Sequence, residues 1–233
     1  MFYVPCSMNK IFIVIPAYNE ATVIQDVIRE VQKVGYNNII VVDDGSQDET
    51  FRKAQEILKT AVFRHKINRG KGAATKTGIE AAKMLGADII VTLDGDGQHD
   101  PRDIQKLIQP ILEKKCEVVL GSRLIHPQGM PWHKKIHNYI ANVIVWYLFG
   151  LWVSDSQSGF RAYSRKAAEV INTRYDRYEY DSEVIREIYI YKLKFQEVPV
   201  QVRYTQYSMG KLQKQGFFNG IKTLYKMLWK MVN

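Results

Sequence analysis

A chain of 233 residues, 46% hydrophobic and 24% charged, lies in the ordinary globular range and is too apolar to be disordered. Its length fits one domain, or one domain with an appendage. The net charge of +9 predicts an anionic partner, and nucleic acid, a membrane surface and a nucleotide all qualify. Only Cys6 and Cys116 are present, so no disulfide framework is indicated and a reducing compartment is expected. Residues 1–10 lack the basic start and long apolar core of a signal peptide. The longest apolar run, 140–153, contains Asn142 and falls short of the ~20 residues that span a bilayer. A soluble or membrane-surface protein is the expectation.

In chain order, 10–16 is a continuous β-branched apolar run, the mark of a strand covered on both faces. After the loop 17–20, the spacing of Val23, Val27, Ile28, Val31 and Val34 predicts a helix over 21–34 that Gly35 ends. A second strand at 38–43 leads through Asp44, Gly45 and Ser46 to a helix over 48–59. A short third strand at 62–65 precedes Asn68, Arg69, Gly70, Lys71 and Gly72, which open a helix running to 85. Its Ala73, Ala74, Gly78, Ala81 and Ala82 permit close packing. A fourth strand at 88–93, a helix over 102–113 and a fifth strand at 117–120 follow, the last running into Gly121, Ser122 and Arg123. Strands alternating with helices at this spacing predict a mostly parallel, doubly wound α/β sheet.

The second half is less regular. Residues 124–132 read as a loop with Pro127, Gly129 and Pro131. The span 134–149 reads as a helix, basic at its start and apolar nearly all round later, hence buried in protein or lying in lipid. Residues 155–163 have loop composition, 165–171 and 180–191 read as helices, and 195–203 as a strand alternating Val198, Val200 and Val202 against Gln201 and Arg203. At the C-terminus, a helical wheel of 217–232 sets Phe217, Ile221, Leu224, Leu228 and Met231 opposite Asn219, Lys222, Lys226 and Lys230. Such an amphipathic helix suits an anionic membrane interface, and equally a surface helix packed on its own domain.

The chemistry gathers at Asp94, Gly95, Asp96, Gly97 and Gln98, directly after the fourth strand. In an open α/β sheet ligands sit beyond the carboxyl ends of the strands. Two carboxylates there suit a hard divalent cation carrying phosphates, although a lone acidic turn serves equally well as a helix-capping loop. Three more loops, 16–20, 43–46 and 70–72, point to the same edge. An acidic pair after the second strand, Gly-Lys-Gly at a helix start and Asp-Gly-Asp after the fourth together describe a nucleotide site. Backbone N–H groups near Gly70 to Gly72, with Lys71, would offset phosphate charge. A nucleic-acid partner would leave the acidic loops unexplained. The five histidines, His65, His99, His126, His133 and His137, lack the spacing of a metal site and read as polar loop or surface residues.

Six segments carry a resemblance: Ile15-Pro16-Ala17-Tyr18-Asn19-Glu20, Val42-Asp43-Asp44-Gly45-Ser46, Asn68-Arg69-Gly70-Lys71-Gly72, Leu93-Asp94-Gly95-Asp96-Gly97-Gln98, Gly121-Ser122-Arg123 and Asp155-Ser156-Gln157-Ser158-Gly159-Phe160-Arg161. In this order, over residues 10 to 205, the chain resembles the family 2 glycosyltransferases of the GT-A fold, and within them the polyprenyl-phosphate (dolichol-phosphate) sugar synthases. The resemblance implies a GT-A catalytic domain over 1–205, with a Rossmann-like, mostly parallel sheet flanked by helices, and a basic tail with an amphipathic helix over 206–233. The implied reaction is inverting transfer of a hexose from a UDP- or GDP-sugar to polyprenyl (dolichyl) phosphate, by a protein peripheral on the cytosolic face of a membrane. A hydroxyl acceptor on a glycan or lipid is the alternative.

The resemblance also implies roles. Pro16, Tyr18, Glu20 and Asp44 would line the nucleoside, with Lys71 in the nucleotide site. Asp96 and Gln98 would hold Mg2+ or Mn2+ against the diphosphate, Asp94 being shared between metal and ribose. Asp94, Asp96, Arg123 and Arg161 are the expected catalytic set. Arg123, Arg161, Lys134, Asn138 and Lys211 would receive the acceptor phosphate, Arg by its planar fork. Lys134 and Asn138 stand where such synthases usually carry Arg and Ser, and Lys211 matches loosely. Asp155 either reaches the site or caps the turn that presents Ser158 and Arg161.

Overall fold

The computed structural model describes residues 9–59, 61–125, 132–177 and 179–203. Seven strands form one sheet: β1 (Ile11–Ala17), β2 (Ile39–Asp43), β3 (Val62–Arg64), β4 (Ile89–Thr92), β5 (Val118–Ser122), β6 (Arg161–Ser164) and β7 (Phe195–Pro199). They lie in the order β3-β2-β1-β4-β6-β5-β7. Every pairing is parallel except those of β6, which runs antiparallel between β4 and β5. The helices are α1 (Ile24–Lys33), α2 (Thr50–Leu58), α3 (Lys71–Met84), α4 (Ile104–Leu112), α5 (Trp132–Phe149), α6 (Arg165–Val170) and α7 (Glu179–Ile190).

The alternation along β1 shows why this sequence builds two packed layers. Ile13 and Ile15 join α1 and α4 through Ile28, Val31, Leu107 and Ile108 on one side. Phe12 and Val14 face Ala74, Ala82, Tyr163 and Val184 on the other. Each fully buried aliphatic side chain of this kind contributes about 1.5–3 kcal/mol. Helix α3 approaches most closely, because a Cβ on Gly78 would collide with the Val14 side chain. At its other face, a Cβ on Gly72 would lie 2.6 Å from Tyr180 Cβ of α7. The small residues noted in the sequence are what lets α3 sit between sheet and helix.

The mostly parallel α/β reading holds, with three differences. β6 falls where a loop was expected, since a four-residue strand is too short to show periodicity. The last strand ends at Pro199, short of 203, and Val202 pairs instead with His99 in an isolated bridge. Helix α1 starts at Ile24 because 21–23 form a turn in which the Glu20 carbonyl accepts from Val23 and Ile24. Lys211 and the expected amphipathic helix of 217–232 lie outside the described residues. No described helix is long and apolar enough to cross a membrane.

Candidate active site

The carboxyl ends of β1, β2 and β3 surround a cleft of about 590 Å³ lined by Tyr18, Ser46, Gln47, Arg64, His65 and Asn68 among others. Its walls are clipped together by local polar bonds. Asn19 N–H donates to Ser46 Oγ at 2.9 Å, and Gln47 N–H to Asn19 Oδ1 at 2.9 Å. Gly45 has φ +71°, and a Cβ there would lie 2.6 Å from the Ile67 carbonyl carbon, so the turn needs glycine. Of the residues expected around a nucleoside, Tyr18 is 39% exposed on this cleft, while Pro16 and Glu20 are buried beneath it.

Asp44 lies deeper than expected. It is 2% exposed, and its carboxylate accepts from Arg69 N–H at 3.0 Å, Gly70 N–H at 2.6 Å and His65 Nδ1 at 2.7 Å. Nδ1 is the donor toward a carboxylate, and Nε2 lies 3.0 Å from the Thr77 hydroxyl. About three of the carboxylate's four acceptor positions are thereby taken. His65, read as a loop or surface residue, is instead an interior link between β3 and α3.

Part of the expected phosphate cradle at Gly70 to Gly72 is engaged within the protein. The Gly70 amide is bound to Asp44, and the Ala73 amide donates to the Asp176 carbonyl at 3.0 Å. Helix-start amides want acceptors, and for these two the protein's own loops supply them. What α3 does present is the Lys71 ammonium.

Lys71 Nζ lies 2.9 Å from Asp94 Oδ1 and 3.4 Å from Asp181 Oδ2. His99 Nε2 stands 3.6 Å from the other oxygen of Asp94. The ring of His99 packs on Phe160, centroids 4.9 Å apart. Gly159 closes over this junction: a Cβ there would collide with Lys71 Nζ and lie 2.6 Å from Asp94 Oδ1. Thr92 Oγ1 fixes the glycine by donating to its carbonyl at 2.7 Å. Burial would lower the Lys71 pKa, but the charges of Asp181 and Asp94 outweigh it and raise it. Burial likewise opposes ionisation of Asp94, yet Lys71 and His99 hold it well below the usual carboxylate range.

Asp96 differs from its neighbour. Burial, then the negative charge of Asp94, push its carboxyl upward, and its Oδ1 accepts from Gln98 N–H at 3.0 Å. Two carboxylates that resist joint ionisation at a strand end form a hard-oxygen donor set that a divalent cation would relieve. Among the described residues no cluster of three or more His, Cys, Asp or Glu is poised to hold a metal. The carboxylate oxygens of Asp94 and Asp96 are the donor type that a hard divalent cation takes alongside phosphate and water oxygens.

Across β6 the expected acceptor residues form a second network. Arg123 makes a bidentate pair with Asp155, Nε to Oδ2 at 2.6 Å and Nη2 to Oδ1 at 2.7 Å, and its amide also donates to Oδ2. Asp155 is 2% exposed, and although burial opposes it, Arg123 lowers its pKa. Asn142 of α5 secures the same loop, donating to Ser154 O and accepting from Ser156 N–H at 3.0 Å and Ser156 Oγ at 2.9 Å. Lys134 and Asn138 lie on the first turns of that helix.

Arg161 is not where a phosphate ligand would be. It is 1% exposed, and it donates to the carbonyls of Ser158 at 2.8 Å and of Ser156 and Asp181 at 2.9 Å. Its guanidinium braces the floor under Gly159 and the start of α7. The sequence reading gave no role at this site to Asp181, Gly159, His99 or Asn142, although His99 directly follows the Asp94–Gln98 loop. The available signal was weak: α7 buries Glu179, Asp181, Glu183 and Glu187 among apolar residues, so those acids require partners.

Residues 12–171 match the family described as Glycosyl transferase family 2. A relative from Methanococcus voltae, named UDP-N-acetylglucosamine–dolichyl-phosphate N-acetylglucosaminyltransferase, is 41% identical over 239 residues, covering 94% of each chain. The polyprenol monophosphomannose synthase of Mycolicibacterium smegmatis is 29% identical over 174 residues, 70% of this chain and 65% of that one. Among solved structures, glucosyl-3-phosphoglycerate synthase from Mycobacterium tuberculosis, in complex with Mn2+, uridine diphosphate and phosphoglyceric acid, superposes with a TM-score of 0.66. That likeness, at 19% identity over 93% of this chain and 78% of the other, shows the GT-A fold. With the family match spanning more than half its length, the chain belongs to glycosyl transferase family 2.

Proposed function

We propose that the protein is an inverting transferase that moves a sugar from a nucleoside diphosphate sugar to a polyprenyl phosphate. The hexose expected from the sequence widens to include an N-acetylhexosamine, because the relative from Methanococcus voltae is named for one. UDP and GDP donors both remain within the reading. The cleft at β1–β3 takes the nucleoside, with Tyr18 on its wall and Asp44 ordering its base. Lys71 meets the diphosphate beside Asp94, and Asp96 and Gln98, with Asp94, would hold Mg2+ or Mn2+. Such a cation supplies electrostatic neutralisation of the leaving diphosphate. The acceptor phosphate oxygen attacks the anomeric carbon as the bond to the diphosphate breaks, inverting the centre and releasing the nucleoside diphosphate.

The observation that carries this reading is the state of Asp155. A hydroxyl acceptor needs a general base with a pKa near the working pH. Asp155 is the buried carboxylate on the acceptor side, and Arg123 holds it bidentate and lowered. Asp181 is likewise engaged by Lys71. A lipid phosphate, already anionic, needs no base, and Arg123 is the cation at hand, so this favours phosphate over hydroxyl. Lys134, Asn138 and Lys211 stay proposed contacts of that phosphate, and the location is peripheral on a cytosolic membrane face. Incubation with labelled sugar nucleotides, Mn2+ and a short-chain prenyl phosphate should give an acid-labile sugar phosphate. Asp96→Ala should cut the rate about 100-fold or more. Transfer to hydroxyl acceptors alone, or full activity of that variant, would refute the reading.

A further inference from the structure

Residues 200–203 leave β7 and form a strap that reaches the loop following β4. Its bonds run residue by residue. Val200 N–H donates to the Ser122 carbonyl at 3.0 Å, Gln201 N–H to Asp103 Oδ2 at 2.7 Å and Arg203 N–H to the Gln98 carbonyl at 2.8 Å, while Val202 pairs with His99. The strap is anchored at its start as well: Val200 is buried, and a Cβ on Gly121 would lie 2.8 Å from its side chain. Successive residues are thus committed to two loops, one leading into Arg123 and the other carrying Asp96 and Gln98.

The loop after β4 needs such an outside hold. Gly95 and Gly97 stand on either side of Asp96, and glycine has the most backbone freedom to lose. Gly97 has φ +73°, and a Cβ there would meet nothing nearer than the Val27 side chain at 3.5 Å, so little packs against this turn. Asp96 is restrained by Gln98, whose amide donates to its Oδ1 at 3.0 Å. The carbonyl of that same residue is the one Arg203 N–H holds. The Arg203 guanidinium adds a second grip two residues on, with Nη2 at 3.1 Å from Asp100 Oδ2, and its Nη1 reaches Glu30 of α1 at 2.6 Å. Asp100 is 3% exposed, so the first contact is interior, whereas the Glu30 side chain is 47% exposed. Arg102 also pairs with Asp100, so that carboxylate keeps a cation when Arg203 is changed.

We propose that Arg203 is a positioning residue for the loop that presents Asp96 and Gln98. By fixing residues 98 and 100 it sets the placement of the oxygen donors offered to a divalent cation. It acts through Gln98 and Asp100 and not by contact with the nucleotide. Groups that orient metal ligands in this way govern affinity as strongly as many ligands do. The inference rests on the cation assignment made under the proposed function.

Mn2+ titrated into the full chain with UDP, and separately with GDP, and followed by electron paramagnetic resonance of the free ion, reads the loop directly. Arg203→Ala should weaken Mn2+ binding about tenfold or more. Glu30→Gln, which removes only the surface partner, should change it about threefold or less. Arg203→Lys, a single ammonium in place of a fork, should fall between them. Nucleotide binding measured by calorimetry without metal should be the same in parent and variants, which controls for folding. In transfer assays the Arg203→Ala rate should approach the parent's at saturating Mn2+ and fall at limiting Mn2+, a pattern that general loosening of the fold would not give. Unchanged Mn2+ affinity in Arg203→Ala would overturn the proposal, as would an equal loss of rate at every Mn2+ concentration or a matching loss of metal-free nucleotide binding. A parent that binds Mn2+ with neither nucleotide would sink the metal assignment and this inference with it. A parent that binds Mn2+ but transfers sugar to no prenyl phosphate would sink the proposed function alone, and the response of Mn2+ affinity to Arg203→Ala would still decide this one.

Discussion

The two sides of the sheet's carboxyl edge are built differently. On the donor side, β1 to β4 are parallel, and each supplies its loop from the residues that directly follow it. Asp43 and Asp44 follow β2's run, Asp94 follows β4, and Lys71 opens the helix after β3. On the acceptor side, β6 enters antiparallel between β4 and β5, and the site residues are held by partners far along the chain. Arg123 depends on Asp155, the Ser154 backbone on Asn142 and Glu197, and Arg161 on the start of α7. A local loop can be altered with local consequences. A cross-braced wall fails as a unit, because a buried partner left alone incurs its full desolvation cost.

The largest test of that contrast is Asp155→Asn. Breaking a buried bidentate pair by removing one partner should cost about 3 kcal/mol or more, lowering Tm by roughly 6–12 °C. The folded carboxyl is lowered, so its contribution is present above about pH 4 and lost as pH falls through the lower folded value. The gap between wild type and variant should thus be widest near neutrality and narrow below about pH 4, as chemical denaturation at several pH values would read. A gap independent of pH would remove the ion pair as the cause. Next is Gly159→Ala, where the two sides touch. A methyl thrust against Lys71 and Asp94 should reduce kcat about 100-fold with little change in Tm. Normal turnover would show that this junction is not part of the chemistry.

Asn142→Ala should cost about 1–3 kcal/mol, since it strands the Ser154 carbonyl and the Ser156 amide. If the two sides are independent, sugar-nucleotide affinity should survive while KM for the acceptor rises. Equal loss of both, by calorimetry and steady-state kinetics, would dissolve the distinction. The smallest effect concerns Cys116, 5% exposed at the foot of β5, whose thiol burial pushes up to about 11 with help from Glu117. In a Cys6→Ser background it should resist iodoacetamide at pH 8 until the acceptor side opens. Asn142→Ala should speed its labelling. Rapid labelling of the parent would contradict a closed wall.

How far each side was legible follows from the same contrast. The strands β1, β2 and β4 announce themselves as continuous β-branched runs because both faces are covered, and the acidic and glycine loops after them carry the proposed nucleotide site with them. Sequence alone therefore determined the layered α/β architecture, the edge on which the chemistry sits and the candidacy of Asp94, Asp96 and Lys71. It did not determine partners. A carboxylate reads the same whether it faces a ligand or a backbone amide, and only packing reveals that Asp44 serves Arg69 and Gly70, and that Arg161 serves three carbonyls. Four-residue β6 left no periodic signal, and its insertion beside β4 is what brings Gly159 over Lys71 and Asp94. Hydrophobic period is a local property of the chain, written in neighbouring residues. Charge pairing across 32 positions, as between Arg123 and Asp155, exists only once the sheet has closed.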